Sequence, residues 1–119
     1  MTLTYASAGH EQPLFWRGAG QQAQLLEADG IMIGAWENAE FEEKTLDIKK
    51  NSWLVLYTDG LTEARSSNGE FFGLERIKAL VEQHEGSSAQ RLVNRLYSKI
   101  RKFTQERITD DFSLLVVKF

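Results

Sequence analysis

The sequence predicts an α+β fold, with antiparallel β-sheets carrying a consecutive pair of helices. Three observations point there. Short segments of alternating apolar and polar residues fill the first half, and helical periodicity is confined to the last third. The chain then closes on an apolar run, Phe112-Ser113-Leu114-Leu115-Val116-Val117. Strands followed by two helices and a last strand differ from the regular βαβ alternation of a doubly wound fold.

Thr2 to Ser7 alternates like a strand, and Gly9-His10-Glu11-Gln12-Pro13 turns the chain into a second one, Leu14-Phe15-Trp16. Gly18-Ala19-Gly20 leads into Gln22 to Leu26, so these pieces predict a small antiparallel meander. Glu27 to Trp36, with Gly30 and Gly34, reads as a loop. Phe41 to Ile48 alternates again, and Lys49-Lys50-Asn51-Ser52 turns it into the apolar strand Trp53 to Thr58. Leu74, Ile77, Leu80 and Val81 lie on one face of a short helix that Gly86 stops. Ser87-Ser88-Ala89-Gln90 fits a capping box that opens the next helix. That helix places Leu92, Val93, Leu96, Tyr97, Ile100 and Phe103 on its apolar face. Its Lys99, Arg101 and Lys102 complement the dipole at the C-terminal end.

A length of 119 residues suffices for one domain with a core, and 42% apolar with 26% charged residues is ordinary globular composition. A net charge of −3 gives no electrostatic reason to expect nucleic acid or an anionic membrane surface. Without cysteine, disulfides, thiolate zinc sites and cysteine nucleophiles are excluded. The N-terminus lacks the basic start and apolar run of a signal peptide, and no apolar run approaches the ~20 residues of a membrane span. The expectation is a cytoplasmic protein, unless the chain is cut from a larger one.

Candidate chemistry concentrates in carboxylates. Asp59 and Gly60 end the Trp53–Thr58 strand, and Asp110-Asp111 opens the final one. If the two strands pair antiparallel, the acids share one sheet edge; if parallel, they sit at opposite ends of a strand roughly 17–20 Å long. Carboxylates clustered at an edge hold hard cations such as magnesium or manganese. Taken alone, Asp59 fits a metal ligand or a plain turn aspartate, since Asp-Gly is a favoured turn pair. Asp110 and Asp111 repel each other unless a cation or donors compensate, or they lie in a solvated turn. Because side chains alternate along a strand, at most one of the pair faces a given metal. His10 reads as a partly exposed loop histidine, and His84 falls at the tail of the first helix. Ser66 and Ser67 have no assignable histidine–acid partner. Gly18-Ala19-Gly20 lacks both Walker spacing and a helix directly after it.

Four blocks together resemble the stage II sporulation protein E family, the bacterial branch of the metal-dependent (PPM-type) serine/threonine protein phosphatases. They are Tyr5-Ala6-Ser7-Ala8-Gly9-His10, Leu56-Tyr57-Thr58-Asp59-Gly60-Leu61-Thr62-Glu63-Ala64, Phe72-Gly73-Leu74-Glu75-Arg76, and Asp110-Asp111 with the strand after it. They stand in the family's order and span nearly the whole chain. The resemblance implies part of an α-β-β-α sandwich, two packed antiparallel sheets flanked by helices. It also implies hydrolysis of phosphoserine or phosphothreonine on a partner protein, commonly an anti-sigma-factor antagonist. Two manganese or magnesium ions activate a bridging water in this chemistry. By the motif match Asp59 and Asp110 are metal ligands, Gly60 belongs to the metal-side turn, and Asp111 is a neighbour.

Three departures accompany the match. Glu11-Gln12-Pro13 stands where the family usually has two prolines, and Asn51-Ser52 where a glycine-aspartate turn usually precedes the metal-bearing strand. Third, the family's N-terminal half, with its further metal ligands, is not in this sequence. Residues 1–119 are therefore expected to form a single partial domain, with a sheet edge and a core face uncovered. A homodimer, or association with the missing half-domain, is expected to cover them, with weak or no activity in isolation. The alternative is a non-catalytic interaction module that keeps the fold and binds a regulatory protein.

Overall fold

The computed structural model describes residues 1–86 and 88–119. In chain order its elements are β1 (Thr2–Ala6), β2 (Leu14–Trp16), β3 (Gln24–Leu25), β4 (Glu43–Asp47), β5 (Trp53–Tyr57), α1 (Asp59–Thr62), α2 (Leu74–Glu82), α3 (Ala89–Phe103) and β6 (Leu114–Lys118). All five residues of β5 are apolar, so it can be covered on both faces, and it takes an interior place in a four-stranded sheet ordered β3-β2-β5-β6. Every pairing in that sheet is antiparallel, with Tyr57 opposite Leu114 and Trp53 opposite Lys118.

β1 does not join β2 in the expected meander. It pairs antiparallel with β4, Thr2 opposite Asp47, in a separate two-stranded sheet. The reason lies in its alternation: only Leu3 and Tyr5 turn inward while Thr2, Thr4 and Ala6 are exposed. Such a strand can roof an apolar sheet but cannot sit inside one. Gly30 allows the long connection to return against β1, since a Cβ there would overlap the Ser7 carbonyl.

α2 and α3 cover one face of the larger sheet. Ile77, Val81, Leu92, Leu96 and Ile100 are all fully buried against Leu14, Trp16, Trp53, Val55, Tyr57 and Val116. Each such aliphatic side chain contributes roughly 1.5–3 kcal/mol on burial, which docks the helices. Trp16 and Trp53 lie 6.2 Å apart in this layer, and His84 meets Trp53 edge-on at 5.2 Å. On the other face a smaller cluster of Phe15, Leu26 and Ile48 joins Leu3, Tyr5, Leu46, Leu54 and Phe119 between the sheets. The order is helix, sheet, sheet: an α+β sandwich of three layers.

The roof is partial. Leu115 faces the roofed side but is 58% exposed, and a cleft of about 280 Å³ between the sheets is lined by Leu3, Tyr5, Leu26, Leu54 and Leu56. The connection from β3 to β4 has no regular element and exposes Ile31, Met32, Ile33 and Trp36.

The expected capping box falls partly on Ser87, which lies outside the described residues. Ser88 is the N-cap of α3 and makes no side-chain capping bond, and Gln90 donates instead to Asn94 Oδ1 at 2.9 Å. α2 stops at Glu82, before Gly86, where Gln83 N–H and His84 N–H bond back to Ala79 and Val81 carbonyls. Among the described residues no helix is long and apolar enough to cross a membrane.

Candidate metal centre

The antiparallel pairing of β5 and β6 brings the two acidic segments to one sheet edge. The ladder runs on past the strand ends. Thr58 N–H donates to the Ser113 carbonyl at 3.2 Å, and Ser113 N–H donates to Thr58 Oγ1 at 2.9 Å. A chain that extends Thr58 in this way must then deliver Asp59 next to the approach of Asp110 and Asp111.

The expected glycine turn is in fact a single helical turn, α1. Thr58 is its extended N-cap, and the Asp59 carbonyl accepts from Glu63 N–H at 2.8 Å and from Thr62 Oγ1 at 3.1 Å. Four residues are too few for periodicity to announce a helix. Gly60 is buried and serves close approach: a Cβ there would overlap the carbonyl oxygen of Asp111. The two acidic segments are thus in backbone contact, and only glycine permits it.

Asp59, Asp110 and Asp111 are all exposed. Gly60 and Asp110 line a cleft of about 390 Å³ whose other walls include Glu63, Arg65, Phe71 and Arg107. Carboxylate oxygens suit a hard cation in kind. In number they fall short, because among the described residues no group of three or more histidine or acidic side chains could hold a metal ion.

Tyr57, the last residue of β5, ties this edge to the turn that follows the first sequence block. Its hydroxyl donates to the Gln12 carbonyl at 2.8 Å. Burial, aided by the charge of Glu11, pushes its ionisation up to about 12.

The remaining candidates stand apart from the edge. His10 is exposed, with Nδ1 2.9 Å from its neighbour's carbonyl. His84 lies at the tail of α2, where burial beside Trp53, with Arg95 and Arg91 nearby, holds it below the ordinary histidine range. Ser66 Oγ accepts from Glu70 N–H at 3.1 Å and so closes a turn. Gly18 and Gly20 take left-handed backbone in a tight turn, where Gln21 N–H bonds the Gly18 carbonyl. Arg65 and Arg107 escaped sequence reasoning, because no spacing relates residues 42 positions apart on separate loops.

A profile of the family described as stage II sporulation protein E (SpoIIE) matches residues 1–119. The chain is 34% identical over 116 residues to the phosphoserine phosphatase RsbU of Bacillus subtilis, covering 98% of this chain and 34% of that protein. It therefore spans about a third of the length of this curated relative. Among solved structures, the PP2C phosphatase domain of SpoIIE from Bacillus subtilis, with a fragment of its regulatory domain, superposes with a TM-score of 0.81 at 19% identity. That match covers 99% of this chain and 34% of the other. A manganese-presoaked SpoIIE phosphatase domain gives 0.73 at 16% identity, over 98% of this chain and 50% of that one. At these identities the structures speak for the fold.

Proposed function

Because the chain belongs to the stage II sporulation protein E family, we propose that residues 1–119 are the C-terminal part of a metal-dependent protein serine/threonine phosphatase domain. Its substrate is phosphoserine or phosphothreonine on a regulatory protein of the anti-sigma-factor-antagonist type, in the bacterial cytoplasm. The reading rests chiefly on one observation: Asp59 and Asp110 reach a common sheet edge through the contact of Gly60 with the Asp111 backbone. The name of the RsbU relative and the manganese soak of the SpoIIE domain support the activity and the ion.

In this reading Asp59 and Asp110 hold manganese or magnesium. Gly60 keeps the metal-side turn tight, and Asp111 is a neighbour whose backbone carbonyl lies against it. Two such ions in a complete site supply an activated water for in-line attack on phosphorus and offset the developing charge. This chain's own part is to fix two carboxylates on a stiff ladder end, and its half-roofed sheet calls for a second copy or the complementary half-domain.

A second reading has its own observation. The lack of a three-donor cluster among the described residues favours a non-catalytic interaction module that keeps the fold. Manganese titration by calorimetry separates the two. The phosphatase lineage expects manganese uptake that Asp59→Ala abolishes, with phosphate release from a phosphoserine peptide restored when the complementary half-domain is supplied. No uptake by the parent chain leaves the interaction reading standing.

A further inference from the structure

Two arginines line the cleft beside Asp110, each on its own loop. Arg65 follows α1 in a turn closed by a backbone bridge between Arg65 and Phe71. Ser66 N–H bonds the Glu70 carbonyl and Gly69 N–H the Ser66 carbonyl, both at 2.9 Å. The guanidinium itself rests 4.6 Å from the centre of the Phe71 ring. A cation over an aromatic face is held in place without losing its charge.

Arg107 follows α3 after two residues in the left-handed region, Gln105 at φ 51° and Glu106 at φ 63°. Non-glycine residues there cost about 1–3 kcal/mol each, so the surrounding bonds must impose the turn. They do: Glu106 N–H donates to the Arg101 carbonyl at 2.8 Å, and Arg101 Nη2 meets Glu106 Oε2 at 2.9 Å. Gln105 Nε2 also reaches Ser67 Oγ at 3.5 Å, which links the two arginine-bearing loops.

The charges at the cleft are uneven in their pairing. Arg76 and Arg101 each have a carboxylate within ion-pair range, whereas among the described residues neither Arg65 nor Arg107 has one. Glu63 and Asp110 also line the cleft. Once Asp110 engages a divalent cation, as the proposed function has it, two guanidinium groups face a single remaining carboxylate. Phe71 and Ile108, 47% and 37% exposed, offer apolar wall beside them.

Resting on the phosphatase reading, we propose that this cleft is a subsite for acidic side chains flanking the phosphoserine of the protein substrate. Arg65 and Arg107 receive those carboxylates, and Phe71 and Ile108 receive their aliphatic stems. Guanidinium groups match carboxylates in shape as well as charge, so the subsite selects sequence around the phosphorylated serine. Arg65 and Arg107 act as specificity determinants here and take no part in the chemical step.

The test is fluorescence anisotropy on the full chain with manganese, using two unphosphorylated serine peptides that differ only in glutamate or glutamine at the flanking positions. The glutamate peptide binds more tightly. Arg65→Gln and Arg107→Gln each weaken its binding by about fivefold, the upper end for an exposed ion pair. Both leave the glutamine peptide unmoved, and the lysine variants keep part of the preference. Equal binding of the two peptides by the parent chain, or an unchanged preference in both glutamine variants, overturns the subsite. Circular dichroism of each variant confirms folding, as both side chains are exposed. The peptides carry no phosphate, so the outcomes separate. A glutamate preference without manganese uptake overturns the phosphatase reading and the substrate role with it, leaving a cleft that binds acidic peptides. Manganese uptake without a preference sinks the subsite alone.

Discussion

On the helix side of the four-stranded sheet, Trp53, Val55 and Tyr57 are at most 3% exposed, and α2 and α3 cover them completely. On the opposite side their neighbours Leu54 and Leu56 are only partly covered, and Leu115, across the ladder from Leu56, is 58% exposed. The same strand therefore has one finished face and one half-finished face. The finished face is closed by elements adjacent in the chain, whose periodicity already points their apolar stripes inward. The other face is roofed by β1 and β4 with Leu26 and Ile48 beside them, and Leu115 on β6 is left largely uncovered. The lesson is that burial is concentrated in the helix layer, while the roofed side leaves apolar surface uncovered. The acidic edge sits at the end of the strands that separate the two.

Cutting into the finished face is expected to have the largest effect. Leu92→Ala removes a fully buried side chain and costs about 2–5 kcal/mol, measured by denaturant unfolding. A loss below about 1 kcal/mol would break the contrast, for it would mean that the helices are not what holds the sheet.

Tyr57→Phe comes next, because it touches the finished face only at its rim. Losing the bond to the Gln12 carbonyl costs about 0.5–1.5 kcal/mol near neutral pH. The pH dependence sharpens the point. With its ionisation raised from 10 to about 12, folded Tyr57 keeps its proton longer than the unfolded chain does. Its contribution is complete below pH 10 and is lost as pH rises towards about 12. Unfolding curves across that alkaline window show the decline in the parent chain, and the phenylalanine variant lacks that component.

The smallest effect on folding belongs to the half-finished face. Leu115→Thr leaves the stability of the isolated chain within about 0.5 kcal/mol, as surface substitutions usually do. It weakens self-association in sedimentation velocity if this face receives a second copy. A fall in stability as large as that of Leu92→Ala would erase the distinction between the faces.

Much of this was legible in the sequence, and the parts that were not share a cause. β5, α2, α3 and β6 announce themselves by period and composition over five to fifteen residues. The acidic edge was legible as one of two outcomes, and the antiparallel register chose between them. The partner of β1 was not legible, because Leu3 and Tyr5 specify an inward face without specifying which strand lies beside it. α1 was too short to show a period. The capping box of α3 rests on Ser87, outside the described residues, and Gln90, its other member, donates to Asn94. Gly60 was legible as a point of close approach, but what it approaches, the backbone of Asp111, depends on the fold.

The placement of the tryptophans has an optical consequence. Trp16 and Trp53 are 2% and 3% exposed, their rings tilted against each other at 6.2 Å with His84 at the edge of the second ring, while Trp36 is 69% exposed on the β3–β4 connection. The molecule thus carries two native chromophore populations. The buried pair emits towards the blue and reports the integrity of the helix layer. Trp36 emits towards the red and reports solvent or contact at the long connection, so unlabelled fluorescence can tell unfolding from docking.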